Sequence, residues 1–213
     1  MIQVQVITLN PFGVNGYIVY DETLEAILVD VACNSRQEEK LVIEFIGQQG
    51  IKPVAIINTH GHLDHICGNN FLSVHYNIPV WMHTADNFLV QTSLIHARMY
   101  GFEMQQPAPP DHRLDDIEVF RFGNSELQVL HVPGHSPGSV ALYSEAGQFV
   151  ITGDALFAGS IGRTDLPKGN YHSLIESITS KLLVLPENTQ VLPGHMESST
   201  IGNEKAHNPY LND

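Results

Sequence analysis

Val54-Ala55-Ile56-Ile57-Asn58-Thr59-His60-Gly61-His62-Leu63-Asp64-His65 is an apolar run of strand length that ends in three imidazoles and a carboxylate. Folding alone asks for no such density of ligands. Neutral imidazole nitrogens and carboxylate oxygens are the donor set for zinc, iron, manganese or nickel, and two histidines one residue apart can converge on one ion from a loop. Asp64 and His65, next along the chain, can then face a second ion.

Three other segments share this pattern. Leu127 to Val132 leads into Pro133-Gly134-His135, Phe149-Val150-Ile151 into Thr152-Gly153-Asp154, and Val191-Leu192 into Pro193-Gly194-His195. In each, a stretch with strand periodicity delivers a ligand-type residue beside a glycine that lets the backbone turn sharply. The ligands therefore collect at one end of a sheet, where open α/β sheets carry their sites.

Ile2 to Leu9, Gly16 to Tyr20 and Ala26 to Val31 read as strands, the last two joined as a hairpin through 21–25. Ser35 is placed to cap a helix that carries Val42, Phe45 and Ile46 and stops at Gly50. A second helix is expected from Asp64 to about Tyr76, then a strand at Val80 to Met82 and a helix from Thr84 to His96. The later strands are Ile117 to Arg121, Glu126 to Val132, Ser139 to Tyr143 and Phe149 to Thr152, followed by a helix from about His172 to Val184. Strand-rich halves, each trailed by helices, imply two sheets face to face with helices outside. The segment Met99 to Pro110 reads as a long loop rich in aromatics and methionine, either a substrate flap or else a surface loop packed on the sheet edge or a dimer contact.

At 213 residues the chain is expected to form one domain, 1–213, large enough to bury its own core. The two cysteines, Cys33 and Cys67, lie in unrelated contexts, which favours reduced thiols and a cytoplasmic setting. Met1 to Val6 has neither the basic start nor the apolar stretch of an export signal. A formal charge of −13, with ten Lys plus Arg scattered singly, disfavours nucleic acid and acidic membranes as partners.

The motif His60-x-His62-x-Asp64-His65, followed by His135, Asp154 and His195, resembles the metallo-β-lactamase superfamily over nearly the whole chain. Within that superfamily, His65-Ile66-Cys67-Gly68-Asn69, Pro133 to Ser139 and Gly162-Arg163-Thr164-Asp165-Leu166-Pro167 resemble the short bacterial glyoxalase II-like hydrolases. The tail from Gly194-His195 to Asn208-Pro209-Tyr210 does so too. The resemblance implies an αββα sandwich and two divalent metal ions, zinc by preference with iron or manganese as options. His60, His62 and His135 would hold one, and Asp64, His65 and His195 the other. Asp154 would bridge them, so that Asp64 and Asp154 are the catalytic carboxylates. True β-lactamases of the superfamily lack that bridging aspartate, so Asp154 argues against antibiotic hydrolysis.

The implied reaction is hydrolysis of a small-molecule thioester, S-lactoylglutathione foremost. Two ions about 3.5 to 4 Å apart lower the pKa of bound water to about 7 and polarise a carbonyl. A thiol of pKa about 8.5 then departs with little help from an acid. Arg163, Lys168, Tyr171 and Tyr210 are the expected substrate-binding residues, and solvated surface groups otherwise. The helical C-terminal domain that binds glutathione in full-length glyoxalase II has no counterpart here, which leaves the acyl and thiol parts of the substrate open. The competing resemblance is to persulfide dioxygenases, which use one iron at positions matching His60, His135 and Asp154. Asp30 resembles the superfamily aspartate that braces the metal loop, and Asn58 and Thr59 are expected to shape that loop. His131 is a candidate to orient a ligand by a hydrogen bond. Cys67 reads as a small packed hydrophobe.

Overall fold

In the computed structural model, which describes residues 1–212, the strand preceding the histidine motif lies inside a six-stranded sheet. Asp213, the end of the tail, lies outside the described residues. The sheet runs β1 (Gln3–Leu9), β2 (Val14–Tyr20), β3 (Glu25–Val29), β4 (Lys52–Ile57), β5 (Val80–Met82) and β6 (His112–Arg113). The first three strands pair antiparallel and β3 to β6 pair parallel. A second sheet builds antiparallel from β7 (Val119–Phe122) through β8 (Ser125–His131) and β9 (Val140–Ser144) to β10 (Phe149–Gly153). After a short ribbon of β11 (Leu156–Phe157) and β12 (Ser160–Ile161), β13 (Gln190–Pro193) joins β10 in parallel and β14 (Ser199–Thr200) closes the edge.

Six α-helices are described: α1 (Arg36–Gln49), α2 (Leu63–Ile66), α3 (Asn69–Tyr76), α4 (Asn87–Met99), α5 (Tyr171–Ser177) and α6 (Ile201–His207). The two-residue alternation of the strands decides which layer each side chain enters. Ile27, Val29 and Ile57 meet Leu142, Ile151 and Leu192 between the sheets. Their neighbours Ala26, Leu28 and Ile56 face Val42 and Ile46 of α1 and Leu72 of α3. On the far side, Tyr143, Val150 and Val191 pack under Leu174 of α5 and Ile201 of α6. This is the αββα sandwich of the expected class. Each fully buried aliphatic side chain contributes about 1.5–3 kcal/mol. A charge placed at Ile27 or Ile151, which are 0% exposed, would have no partner there.

Ser35 caps α1 by accepting from the Glu38 N–H at 3.2 Å, and Gly50 ends it in the left-handed conformation at φ 68°. The expected single helix from Asp64 to Tyr76 is instead two helices, α2 and α3, broken at Cys67-Gly68. Gly68 presses on the strand-end loop: a Cβ there would lie 2.4 Å from the Val31 carbonyl oxygen. The expected helix from His172 to Val184 is α5 followed by a wide π turn over Ile178–Leu182. The Thr179 and Ser180 hydroxyls donate back to Ile175 and Glu176 carbonyls in that region, the pattern that loosens helices. Helix α6 and the two-residue strands β6, β11, β12 and β14 have too short a period to be read from sequence.

Strands β3 and β4 run parallel, and β8, β10 and β13 share one direction in the second sheet. Their carboxyl ends therefore meet at one rim. Asp30 follows β3, His60 follows β4, His135 follows β8, Asp154 follows β10 and His195 follows β13.

Candidate metal centre

The loop after β4 is held from below by Asp30, a buried residue that itself adopts a left-handed backbone at φ 49°. Its carboxylate accepts from the Thr59 N–H at 2.9 Å, from the Thr59 hydroxyl, and from His65 Nδ1 at 3.0 Å. Asn58 Nδ2 donates to the His65 carbonyl at 3.1 Å and Asn69 Nδ2 to Asn58 Oδ1 at 2.7 Å, so Asn58 and Thr59 shape the loop as expected.

A second buried carboxylate, Asp86, does what sequence reasoning missed. Its oxygens accept from Gly61 N at 2.9 Å, Gly138 N at 2.7 Å and Ser136 Oγ at 2.6 Å. It thereby joins the His60-Gly61-His62 loop of one sheet to the His135-Ser136 loop of the other. Asp86 precedes α4, where an aspartate is ordinarily read as an N-cap, yet it makes no side-chain capping bond to that helix. The sequence carries no signal for this role, because the two loops that Asp86 joins become its neighbours only in three dimensions.

The seven candidate ligands come together in two groups. One donor atom each of His60, His62 and His135 lies within 4.8 Å of the others, and the same holds for Asp64, His65 and His195. His62 Nδ1 is 2.8 Å from His135 Nε2, and His65 Nε2 is 3.3 Å from His195 Nε2. Asp154 touches both groups: Oδ2 is 3.6 Å from His135 Nε2 and 3.6 Å from His195 Nε2, while Oδ1 is 3.4 Å from His65 Nε2. Asp30, His60 and His65 form a third close group, but the Asp30 oxygens are already occupied by Thr59 and His65 Nδ1.

Tautomers follow from the partners of the other ring nitrogens. His135 Nδ1 donates to the Arg163 carbonyl at 2.8 Å and His195 Nδ1 to the Phe12 carbonyl at 3.1 Å, because a carbonyl only accepts. His65 Nδ1 donates to Asp30. The Thr59 hydroxyl gives its proton to Asp30 and so accepts from His60 Nδ1 at 3.1 Å. In the neutral form of each of these four rings Nε2 is then the lone pair, aimed inward. His60 Nε2 and Asp154 Oδ1 are buried and have no hydrogen-bond partner. Converging lone pairs and orphaned acceptors are what a cation satisfies, and outward ring N–H groups held by carbonyls or carboxylates are the usual support of metal-binding histidines.

The charges of the groups agree. Burial and then the neighbouring rings hold His60 well below the ordinary histidine range, and burial followed by His135 holds His62 down at about 3. For His65, burial is outweighed by Asp154, Asp64 and Asp30, which lift it to about 10. Asp64, though desolvated, is held ionised by His65 and His195. His60 and His62 are thus neutral donors, while the carboxylates around His65 draw positive charge to the second group; a divalent ion meets both conditions.

Gly194 and Gly134 make room for this. A Cβ on Gly194 would lie 2.2 Å from Asp154 Oδ1, and one on Gly134, at φ 142°, would lie 2.3 Å from the Leu174 backbone. Asn15 and Tyr17 of β2 hold the same rim by donating to the Pro193 carbonyl at 3.1 and 2.7 Å.

A cavity of about 540 Å³ opens over Asp64, Asp154, His62, His135 and His195. Of the four expected substrate residues, Arg163 lines it, while Lys168, Tyr171 and Tyr210 do not. The Arg163 guanidinium is bound bidentate by Asp165 at 2.7 and 2.7 Å, and Lys168 Nζ sits 3.8 Å over the Phe88 ring. His96 also lines the cavity. His131 braces the metal loop differently from the expectation, through Nε2 to the Pro137 carbonyl at 2.8 Å, and stacks on His83. Of the 99–110 segment, Met99 and Tyr100 line the cavity. Farther on, the loop is pinned by Asn34 Nδ2 to the Glu103 carbonyl and Asn70 Nδ2 to the Gln106 carbonyl, at 2.9 and 2.8 Å. Cys33 and Cys67 are free thiols, as expected; burial pushes Cys33 up to about 12.

Comparison with known proteins points the same way. The profile of the Metallo-beta-lactamase superfamily matches residues 9–195. Hydroxyacylglutathione hydrolase GloC of Haemophilus influenzae is 32% identical over 98% of this chain and 98% of its own. The crystal structure of BLEG-1 B3 metallo-beta-lactamase is 34% identical with a TM-score of 0.90, covering 99% of this chain and 100% of that one. TTHA1623, solved in a di-iron-bound form, is 36% identical with a TM-score of 0.88 over 98% and 100%.

Proposed function

Since this chain belongs to the metallo-beta-lactamase superfamily, a group of metallohydrolases, we propose that it hydrolyses a thioester with two divalent ions in place. His60, His62 and His135 would hold one ion and Asp64, His65 and His195 the other, with Asp154 shared. Zinc suits this nitrogen and oxygen donor set, and iron or manganese would also fit it. Such ions supply Lewis acidity and lower the pKa of water from about 15.7 to about 7.

The protein contributes positioning. Asp30 fixes the His65 ring, the Arg163 and Phe12 carbonyls fix His135 and His195, and Asp86 holds the two loops in register. Asp64, held ionised by His65 and His195, and Asp154 present carboxylate oxygens in the floor, where they can orient a water molecule toward an acyl carbon. A thiolate leaving group, from a thiol of pKa about 8.5, needs no dedicated acid, and the cavity lining contains no carboxyl beyond Asp64 and Asp154. The substrate is read as a small thioester rather than nucleic acid or membrane, in a cytoplasmic setting. Among the described residues no helix is long and apolar enough to cross a membrane.

The observation that carries the reading is the Asp154 carboxylate in contact with both donor groups. The test is elemental analysis of one purified batch, followed by anaerobic assay of S-lactoylglutathione beside a chromogenic cephalosporin. Near two metals per chain with anaerobic thioester cleavage supports the reading. One iron, no hydrolysis and oxygen uptake with a persulfide would replace it with a dioxygenase, and cephalosporin turnover alone would replace it with a lactamase.

A further inference from the structure

From the walls of the cavity we infer that the thioester this site prefers, on the reading just given, carries an apolar, uncharged acyl chain of medium length. The floor is polar, but the walls are Phe12, Met99, Tyr100, Phe157, Leu166 and Met196. Four of these are exposed although large and apolar: Met99 at 77%, Met196 at 57%, Tyr100 at 56% and Phe12 at 38%. They come from three distant segments, the turn after β1, the end of α4 and the loop after β13, yet they converge on one opening. Phe12 meets Tyr100 edge to face at 6.1 Å, so the rim is a joined apolar surface. Convergent exposed apolar groups around a reactive floor mark a surface that a ligand covers.

The charges point in the same direction. Arg163 is the single lysine or arginine in the lining, and its Nε–Nη2 edge is already paired with Asp165. The one Lys or Arg side chain of the described lining thus already shares its charge with a carboxylate, which weakens its pull on a carboxylate of the acyl or thiol part. A cavity of about 540 Å³ is of the size that encloses a drug-sized ligand, so an acyl chain of several methylenes fits beside the carbonyl. Methionines at two wall positions adapt to chains of differing length. The reaction balances without a co-reactant: the oxygen of water bonds to the acyl carbon, the carbon–sulfur bond breaks, and the products are a carboxylic acid and a thiol.

The test uses the metal-loaded full chain and one constant thiol, N-acetylcysteamine, bearing acetyl, butyryl, hexanoyl or octanoyl groups, with S-lactoylglutathione alongside. The expectation is that kcat/KM rises by up to about fourfold per added methylene until the cavity fills. Met99→Glu should lower the octanoyl-to-acetyl ratio at least tenfold. A second readout does not require turnover: by calorimetry, the uncleavable thioether N-acetyl-S-octylcysteamine should bind more tightly than its S-ethyl counterpart. A flat or falling acyl series, with S-lactoylglutathione cleaved faster than every member, would overturn this inference and leave thioester hydrolysis standing. No cleavage of any thioester by protein with two metals per chain would overturn both.

Discussion

Asp86→Ala removes a carboxylate that never touches a metal position, yet it should loosen one metal group and spare the other. The substitution strands the Gly61 and Gly138 N–H groups, both donors to Asp86 in the native fold, while Ser136 Oγ retains Ser139 Oγ at 2.8 Å. Each stranded buried donor costs about 1–3 kcal/mol. Relief from burying a carboxylate, whose pKa is raised by that burial, returns part of this. The net cost is then about 3 kcal/mol, equivalent to a Tm lower by roughly 6–12 °C in a chain of this size. Gly61 lies between His60 and His62 and Ser136 follows His135, so the first group should lose about 10–100-fold in metal affinity. The Asp64, His65 and His195 group, braced by Asp30, should change little. Asp86→Asn keeps one acceptor oxygen but turns an NH2 toward a backbone donor, and should fall between. The assays are competitive metal titration with a chromogenic chelator and thermal unfolding in chelator. Two unchanged affinities with Tm within about 2 °C of the parent would refute the argument that this carboxylate holds the loops together.

Asp154→Ala should lower metal content below two per chain and abolish hydrolysis while leaving the far-ultraviolet circular dichroism intact; full turnover in this variant would remove Asp154 from the site. Gly194→Ala places a Cβ 2.2 Å from Asp154 Oδ1, and elemental analysis should find it depleted of metal, whereas a full complement would show that the rim yields. Asp21 accepts from Thr23, Asn124 and Ser125, tying the β2–β3 turn to the β7–β8 turn. Although burial opposes ionisation, these donors hold its pKa at about 2, against 3.8 in the unfolded chain. That difference corresponds to about 2 kcal/mol, present above pH 4 and lost as pH falls through about 2. Urea unfolding of Asp21→Asn and the parent should differ by that amount at pH 7 and converge toward pH 2; a constant difference would rule out this linkage.

What could be read from the chain alone was local. An apolar run of strand length followed at once by a ligand-type residue beside a glycine announces a strand end bearing a donor, and that pattern alone places His60, His135, Asp154 and His195. Ser35 and Gly50 bounded α1 for the same reason: caps and left-handed glycines act within one turn of the residues they serve. The layers of the sandwich follow from alternation within each strand. Tertiary structure decided everything that depends on a distant partner. Gly68 breaks a helix because Val31 lies against it, and Asp86 gives up its helix cap for two loops 25 and 52 residues away. Arg163 is closed by Asp165, Lys168 lies on Phe88, and an apolar cavity forms where Phe12, Tyr100 and Met196 converge. A periodicity states which face of an element is buried; it carries no information about what buries it. The partners of a carboxylate or the walls of a cavity exist only once long-range packing has brought separate segments together.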